Sequence, residues 1–178
     1  MNNKNKGYEL RCELVDYLVK ELKFINYYGT TTPTDFNMNK EMYAMLTLHN
    51  DEFMICVREN ENTNRSYDNN ILDVMNEENV PNPNIITNKH IDKIDIFAIL
   101  HELGHRHNDL VKEYEKDYCD EIIRLQEDLI DRSIDESEYY KQYRRIPQER
   151  DADLYACNMM KNKAFMKKLC KYINEKNI

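Results

Sequence analysis

The stretch from Ile94 to His105 limits the possible folds more than any other part of this chain. An apolar run broken only by Asp95 leads into His101-Glu102-Leu103-Gly104-His105. A run this apolar has to be buried. Its spacing puts Ile94, Ala98, His101 and His105 on one helical stripe. The pattern predicts a helix to about Asn108, with Thr87 or Asn88 as its N-cap. Residues four apart on a helix are rotated by only about 40°, so two such imidazoles point the same way. His101 and His105 can therefore share one metal ion, with Glu102 turned by about 100° to stand beside it as a general base.

Such a metal takes three protein ligands, and the third has to come from elsewhere in the chain. Pro147 fits the first turn of a further helix, where its missing N–H costs nothing. On that helix Glu149, Ala152, Asp153, Ala156 and Met160 share one face. Two acids on a face otherwise made of Ala and Met are not a solvated surface. The alanines allow a second helix to come close, so Glu149 can supply the third ligand. Asp153, one turn on, can accept the free ring N–H of a ligating histidine and so fix its tautomer.

The rest of the chain predicts an α+β fold, mainly helical, with a small β-hairpin beside the motif helix. Apolar positions at Leu10, Leu14, Tyr17, Leu18, Leu22 and Ile25 predict an amphipathic helix from about Tyr8 to Tyr27, ended by Gly29 and Thr30-Thr31-Thr32-Pro33. Tyr43–Leu48 and Phe53–Val57 flank a turn-like segment and predict the hairpin. Glu59–Asn70 and Asn76–Asn84 read as loops, joined by a short apolar turn at Ile71, Leu72 and Val74. Val111, Tyr114, Tyr118, Ile122, Leu125 and Leu129 predict a long helix over about Asp109–Arg132. Ser133-Ile134-Asp135-Glu136 resembles a capping box opening a short helix that bears Tyr139, Tyr140 and Tyr143. Asn162 divides the Pro147 helix from a terminal one.

At 178 residues, with 41% hydrophobic and 33% charged, the expectation is one domain over residues 1–178 with a real core. The net charge of −8 argues against direct nucleic-acid binding, which needs clustered Lys and Arg. The basic C-terminal stretch around Lys163, Lys167 and Lys171 reads as the solvated face of the last helix. The five cysteines are widely spaced with no CxxC pair, so a reducing, cytoplasmic setting is expected. Neither a signal-peptide core nor a long apolar span is visible, so no membrane partner is expected.

HELGH together with the ExxAD of Glu149-Arg150-Asp151-Ala152-Asp153 resembles the gluzincin metallopeptidases, zinc enzymes with a His-His-Glu ligand set. The hairpin before the motif and the string Ala152-Asp153-Leu154-Tyr155-Ala156 are most similar to the ImmA/IrrE family, with Tyr155 where that family usually has Phe. The resemblance implies one zinc held by His101, His105 and Glu149, with Glu102 as catalytic base and Asp153 partnering His101. It also implies peptide-bond hydrolysis in a specific protein substrate such as a transcriptional repressor.

Two other readings stay open. One is a non-catalytic zinc domain acting through protein–protein contacts, and the other is a general cytosolic peptidase. Manganese or iron could also occupy His-His-Glu. A tetrahedral oxyanion would need a further donor, for which Tyr139, Tyr140, Tyr143 and His107 are candidates. The Phe53–Val57 strand is expected to offer an edge to an extended peptide. His49 and His90 carry no motif.

Overall fold

The computed structural model describes residues 3–36, 43–48, 51–59, 65–81, 86, 88–107 and 111–176. His49 lies outside them. The fold is mainly helical with a small mixed sheet, as expected. In chain order the elements are α1 (Asn3–Glu21), β1 (Tyr27–Thr31), β2 (Ala44–Thr47), β3 (Phe53–Cys56), α2 (Arg65–Glu77) and α3 (Lys93–His107). There follow α4 (Val111–Ile130), α5 (Glu136–Tyr143), α6 (Pro147–Lys161) and α7 (Lys163–Glu175).

The motif helix α3 is the axis of the molecule. Every residue from Ile94 to Gly104 is buried, because the run is apolar nearly all round and has neighbours on every side. Its core partners include Leu14 and Leu18 of α1, Phe53 and Ile55 of β3, Ala156 of α6 and Leu169 of α7. The helix starts later than the sequence suggests. Asp92, not Asn88, caps it, and Thr87 lies outside the described residues: Asp92 Oδ1 accepts from the N–H groups of Ile94 (2.8 Å) and Asp95 (2.9 Å). Asp95 Oδ2 accepts in return from the Asp92 N–H at 3.0 Å, closing a reciprocal cap. Asn88 instead donates to the Ile173 carbonyl at 3.2 Å. The remaining oxygen of Asp95 is where the sheet and α1 tie into α3. It takes Arg58 Nη2 at 2.7 Å, Arg11 Nε at 3.0 Å and the Tyr43 hydroxyl.

The expected hairpin is present, with β2 antiparallel to β3 and Met45 opposite Ile55. It belongs to a three-stranded sheet of order β1-β3-β2, in which β1 runs parallel to β3. Two expectations are corrected here. First, α1 ends at Glu21 and the threonine-rich stretch is a strand, not a helix stop. Lys23 takes a positive φ of 60°, and the Phe24 N–H reaches back to the Val19 carbonyl at 3.0 Å, terminating the helix. β-Branched Thr30 and Thr31 then pair with Ile55 and Cys56. Second, β3 is central and bonded on both sides, so Phe53–Val57 has no edge to offer a peptide; β2 is the outer strand nearest the motif.

A third correction concerns residues 65–77, expected as loop plus turn and observed as α2. Ile71 and Met75 lie one turn apart and are buried, as is Asp68, which approaches Arg58 at 3.8 Å. The apolar stripe is only two residues deep, so the polar majority hid it. A fourth concerns α5. Asp135, not Ser133, is its N-cap, accepting from the Glu138 N–H at 2.8 Å. The breaks at Pro147 and Asn162 fall where expected, and Asn162 caps α7 by accepting from the Phe165 N–H at 3.1 Å.

Candidate metal centre

The close approach of α6 to α3 makes the site. Gly104 faces Ala152, and a Cβ on Gly104 would lie 3.0 Å from Ala152 Cα and 3.1 Å from its carbonyl oxygen. Two small residues thus let the backbones nearly touch, and a short carboxylate one turn earlier can reach the histidines. His101 Nε2 lies 3.1 Å from His105 Nε2 and 3.1 Å from Glu149 Oε2. His105 Nε2 lies 3.6 Å from Glu149 Oε1. Two ligands of a tetrahedral ion bound at 2.0–2.1 Å are about 3.3 Å apart, so these separations suit one ion between the three donors. His101, His105 and Glu149 could therefore hold a metal.

Two of the three donors are fixed from behind. His101 presents its other nitrogen, Nδ1, to Asp153 Oδ1 at 2.8 Å, which leaves Nε2 facing the cluster. Asp153 is itself gripped by Arg144 Nη1, whose guanidinium also lies over the Phe97 ring. Glu149, fully buried, accepts from the Tyr118 hydroxyl at 2.5 Å through Oε1. The electrostatics without a metal follow from this packing. Burial opposes charge on His101, but the bonds to Asp153 and Glu149 outweigh it and hold the imidazolium up to about 10. Burial and the neighbouring His101 cation push His105 down to about 4. Burial also opposes charge on Glu149, yet its contacts with His101 hold it at about 2.

Glu102 stands beside the trio, buried, with Oε2 accepting from the Met45 N–H of β2 at 2.8 Å. Burial pushes its carboxyl up to about 7. The group is thus poised to take and release a proton near neutrality.

All five residues singled out in the sequence (His101, Glu102, His105, Glu149 and Asp153) converge here. Of the four further donors considered, Tyr143 reaches the site. Its phenol is raised well above its ordinary value by burial and by Glu149 and Tyr118. Tyr139 stacks on Tyr143 at 6.0 Å between ring centroids, and Tyr140 packs against Tyr139. His107 is exposed and leans on Tyr155 at 4.6 Å. Two contributors escape sequence reasoning. Tyr118 reads as one more apolar position on α4, and Arg144 as one of an ordinary Arg pair. Neither carries a local signal, since each is defined only by what it meets across the fold.

Among the described residues, no helix is long and apolar enough to cross a membrane. Comparisons of this chain with family models, with curated proteins and with solved structures return no match.

Proposed function

We propose that this chain is a zinc-dependent metallopeptidase of the gluzincin type, with His101, His105 and Glu149 as ligands. One observation carries the reading: three donor groups from two helices at ion-ligand spacing, with the buried Glu102 carboxyl beside them. Bound there, zinc would supply Lewis acidity, making water a nucleophile near neutral pH and polarising a carbonyl. The protein's own groups would do the rest. Glu102 takes the proton of the attacking water on its carboxylate and hands it to the leaving amine. Met45, through its N–H, keeps one carboxylate oxygen of Glu102 in place, leaving the other for the proton. Asp153 holds the His101 ring in the tautomer that offers Nε2. Tyr118 and Tyr143 are kept protonated by burial and by Glu149, to which both hydroxyls turn, so they hold that carboxylate in place. The preference for a specific protein substrate, such as a transcriptional repressor, rests on the resemblance to ImmA/IrrE proteins alone.

A non-catalytic zinc domain is the second reading, favoured by the burial of the cluster under Tyr118 of α4. Two variants separate the cases. Metal content should be near one zinc per chain in the wild type and much lower in Glu149→Ala. Glu102→Gln should keep its zinc. If peptide cleavage by the wild type is lost in Glu102→Gln, the enzyme stands. A biological effect that survives Glu102→Gln belongs to a binding domain, and equal zinc in wild type and Glu149→Ala refutes the ligand set.

A further inference from the structure

Behind the metal cluster, on the far side of Asp153, a cleft of about 900 Å³ opens between α2 and the α5–α6 corner. One wall carries Lys141, Arg144, Arg145 and Arg150, and the other carries Asp73 and Glu77, one turn apart on α2. Arg144 and Asp153 pair with each other, and Glu78 at the rim pairs with Lys161 at 3.0 Å. Among the described residues, Lys141, Arg145, Arg150, Asp73 and Glu77 have no ion-pair partner, although opposite signs face each other across the gap. The charges of the two walls therefore do not contact each other in this structure. The volume is at the upper end of what small-molecule sites enclose.

We propose that this cleft binds a dipolar organic ligand, its carboxylate on the Lys141–Arg145–Arg150 wall and its ammonium on Asp73 and Glu77. A bare polyanion is disfavoured by the acids of α2, and a bare cation by the four bases opposite. A molecule carrying both charges several ångströms apart satisfies both walls at once. The site also communicates with the metal centre. Arg144 faces the cleft while gripping Asp153, which in turn holds Nδ1 of His101. A ligand carboxylate competing for the Arg144 guanidinium loosens its hold on Asp153, so ligand and metal affinities must change reciprocally. This coupling rests on the metal reading above; ligand binding itself does not.

The test is a calorimetric titration of the full chain, metal-free and zinc-loaded, with linear ω-amino acids of increasing chain length. Pentanoate and pentylamine serve as single-charge controls. The expected result is saturable binding with Kd on the order of millimolar and an optimum chain length. Each control should bind at least tenfold more weakly. Lys141→Ala/Arg145→Ala and Asp73→Asn/Glu77→Gln should each weaken the amino acid at least tenfold. All four positions are exposed, so the variants are expected to fold, which a melting curve checks. Saturating ligand should shift zinc affinity at least twofold. Pentanoate binding as tightly as the amino acid, no saturable binding, or indifference to both double variants overturns the proposal. Unchanged zinc affinity overturns the coupling through Arg144. A chain that takes up no zinc refutes the metal reading instead, and the metal-free titration still decides the cleft.

Discussion

Gly104→Ala tests the claim that backbone contact between α3 and α6 builds the metal site. The new Cβ would sit 3.0 Å from Ala152 Cα, 3.1 Å from Ala152 O and 3.2 Å from Tyr155 Cβ. Carbon pairs rest at roughly 3.5–4.0 Å, so α6 has to retreat by a few tenths of an ångström. Two of the three obstructing atoms belong to the α6 backbone and cannot turn aside. Exchanging Gly for Ala inside a helix gains up to about 1 kcal/mol in propensity, while overpacking costs about 1–3 kcal/mol. The net expectation is a metal-free protein about 0–2 kcal/mol less stable. The larger effect falls on the metal. Glu149 lies on the same face of α6, one turn before Ala152, and moves with it. Its separations of 3.1 and 3.6 Å from the two imidazoles then widen. Metal affinity should fall on the order of tenfold, comparable to disturbing a ligand's supporting contacts. Urea unfolding of the stripped protein gives the first quantity, and competition against a chelator of known affinity gives the second. Unchanged metal affinity with unchanged or greater stability would refute the reasoning, because α6 would then reach α3 without the bare backbone at Gly104.

Three further outcomes are expected. Glu102 titrates at about 7 when folded, against 4.5 for a free carboxyl. The folded, metal-free chain therefore holds a proton on Glu102 that the unfolded chain has released, and this group's contribution to stability falls as pH rises from about 4.5 to about 7, by up to about 3 kcal/mol, while His105, held down to about 4, contributes an opposing rise over about 4 to 6.5. Glu102→Gln removes the Glu102 contribution alone, so the difference between wild type and variant should grow across this window with the variant the more stable at pH 8; parallel curves from urea melts would contradict the burial argument. Zinc uptake at pH 8 should release at least one proton, because His101 stays charged up to about 10 without metal while His105 is already neutral. Calorimetry in buffers of different ionisation enthalpy counts that proton, and a count of zero would mean that the His101 contacts are wrongly assigned. Tyr118→Phe removes the hydroxyl that bonds Glu149 and should cost the metal-free protein about 1–2 kcal/mol. The loss should be smaller with zinc bound, as the cation then shares the carboxylate; equal losses in urea would show that the hydroxyl does not serve Glu149.

Sequence alone singled out the residues that converge at the candidate metal site, because periodicity is a property of neighbours along the chain. Four-residue spacing aims His101 and His105 the same way on any straight helix, and the Glu149–Ala152–Asp153–Ala156 face marks a second helix built for close approach. The apolar run before the motif likewise marked α3 as the central element. What the tertiary structure decided are the contacts between segments far apart in sequence. The strand β1 exists because Thr30 and Thr31 find β3, and a five-residue strand has no stability without that partner. The helix α2 forms because Ile71, Met75 and Asp68 find the core and Arg58, a stripe too thin to stand out among polar neighbours. Tyr118 over Glu149, Arg144 behind Asp153 and the Met45 amide on Glu102 follow the same rule. Local spacing orients a side chain relative to its own helix. What it meets there depends on how the other elements pack, and that packing sets how each ligand is held and where the proton on Glu102 resides.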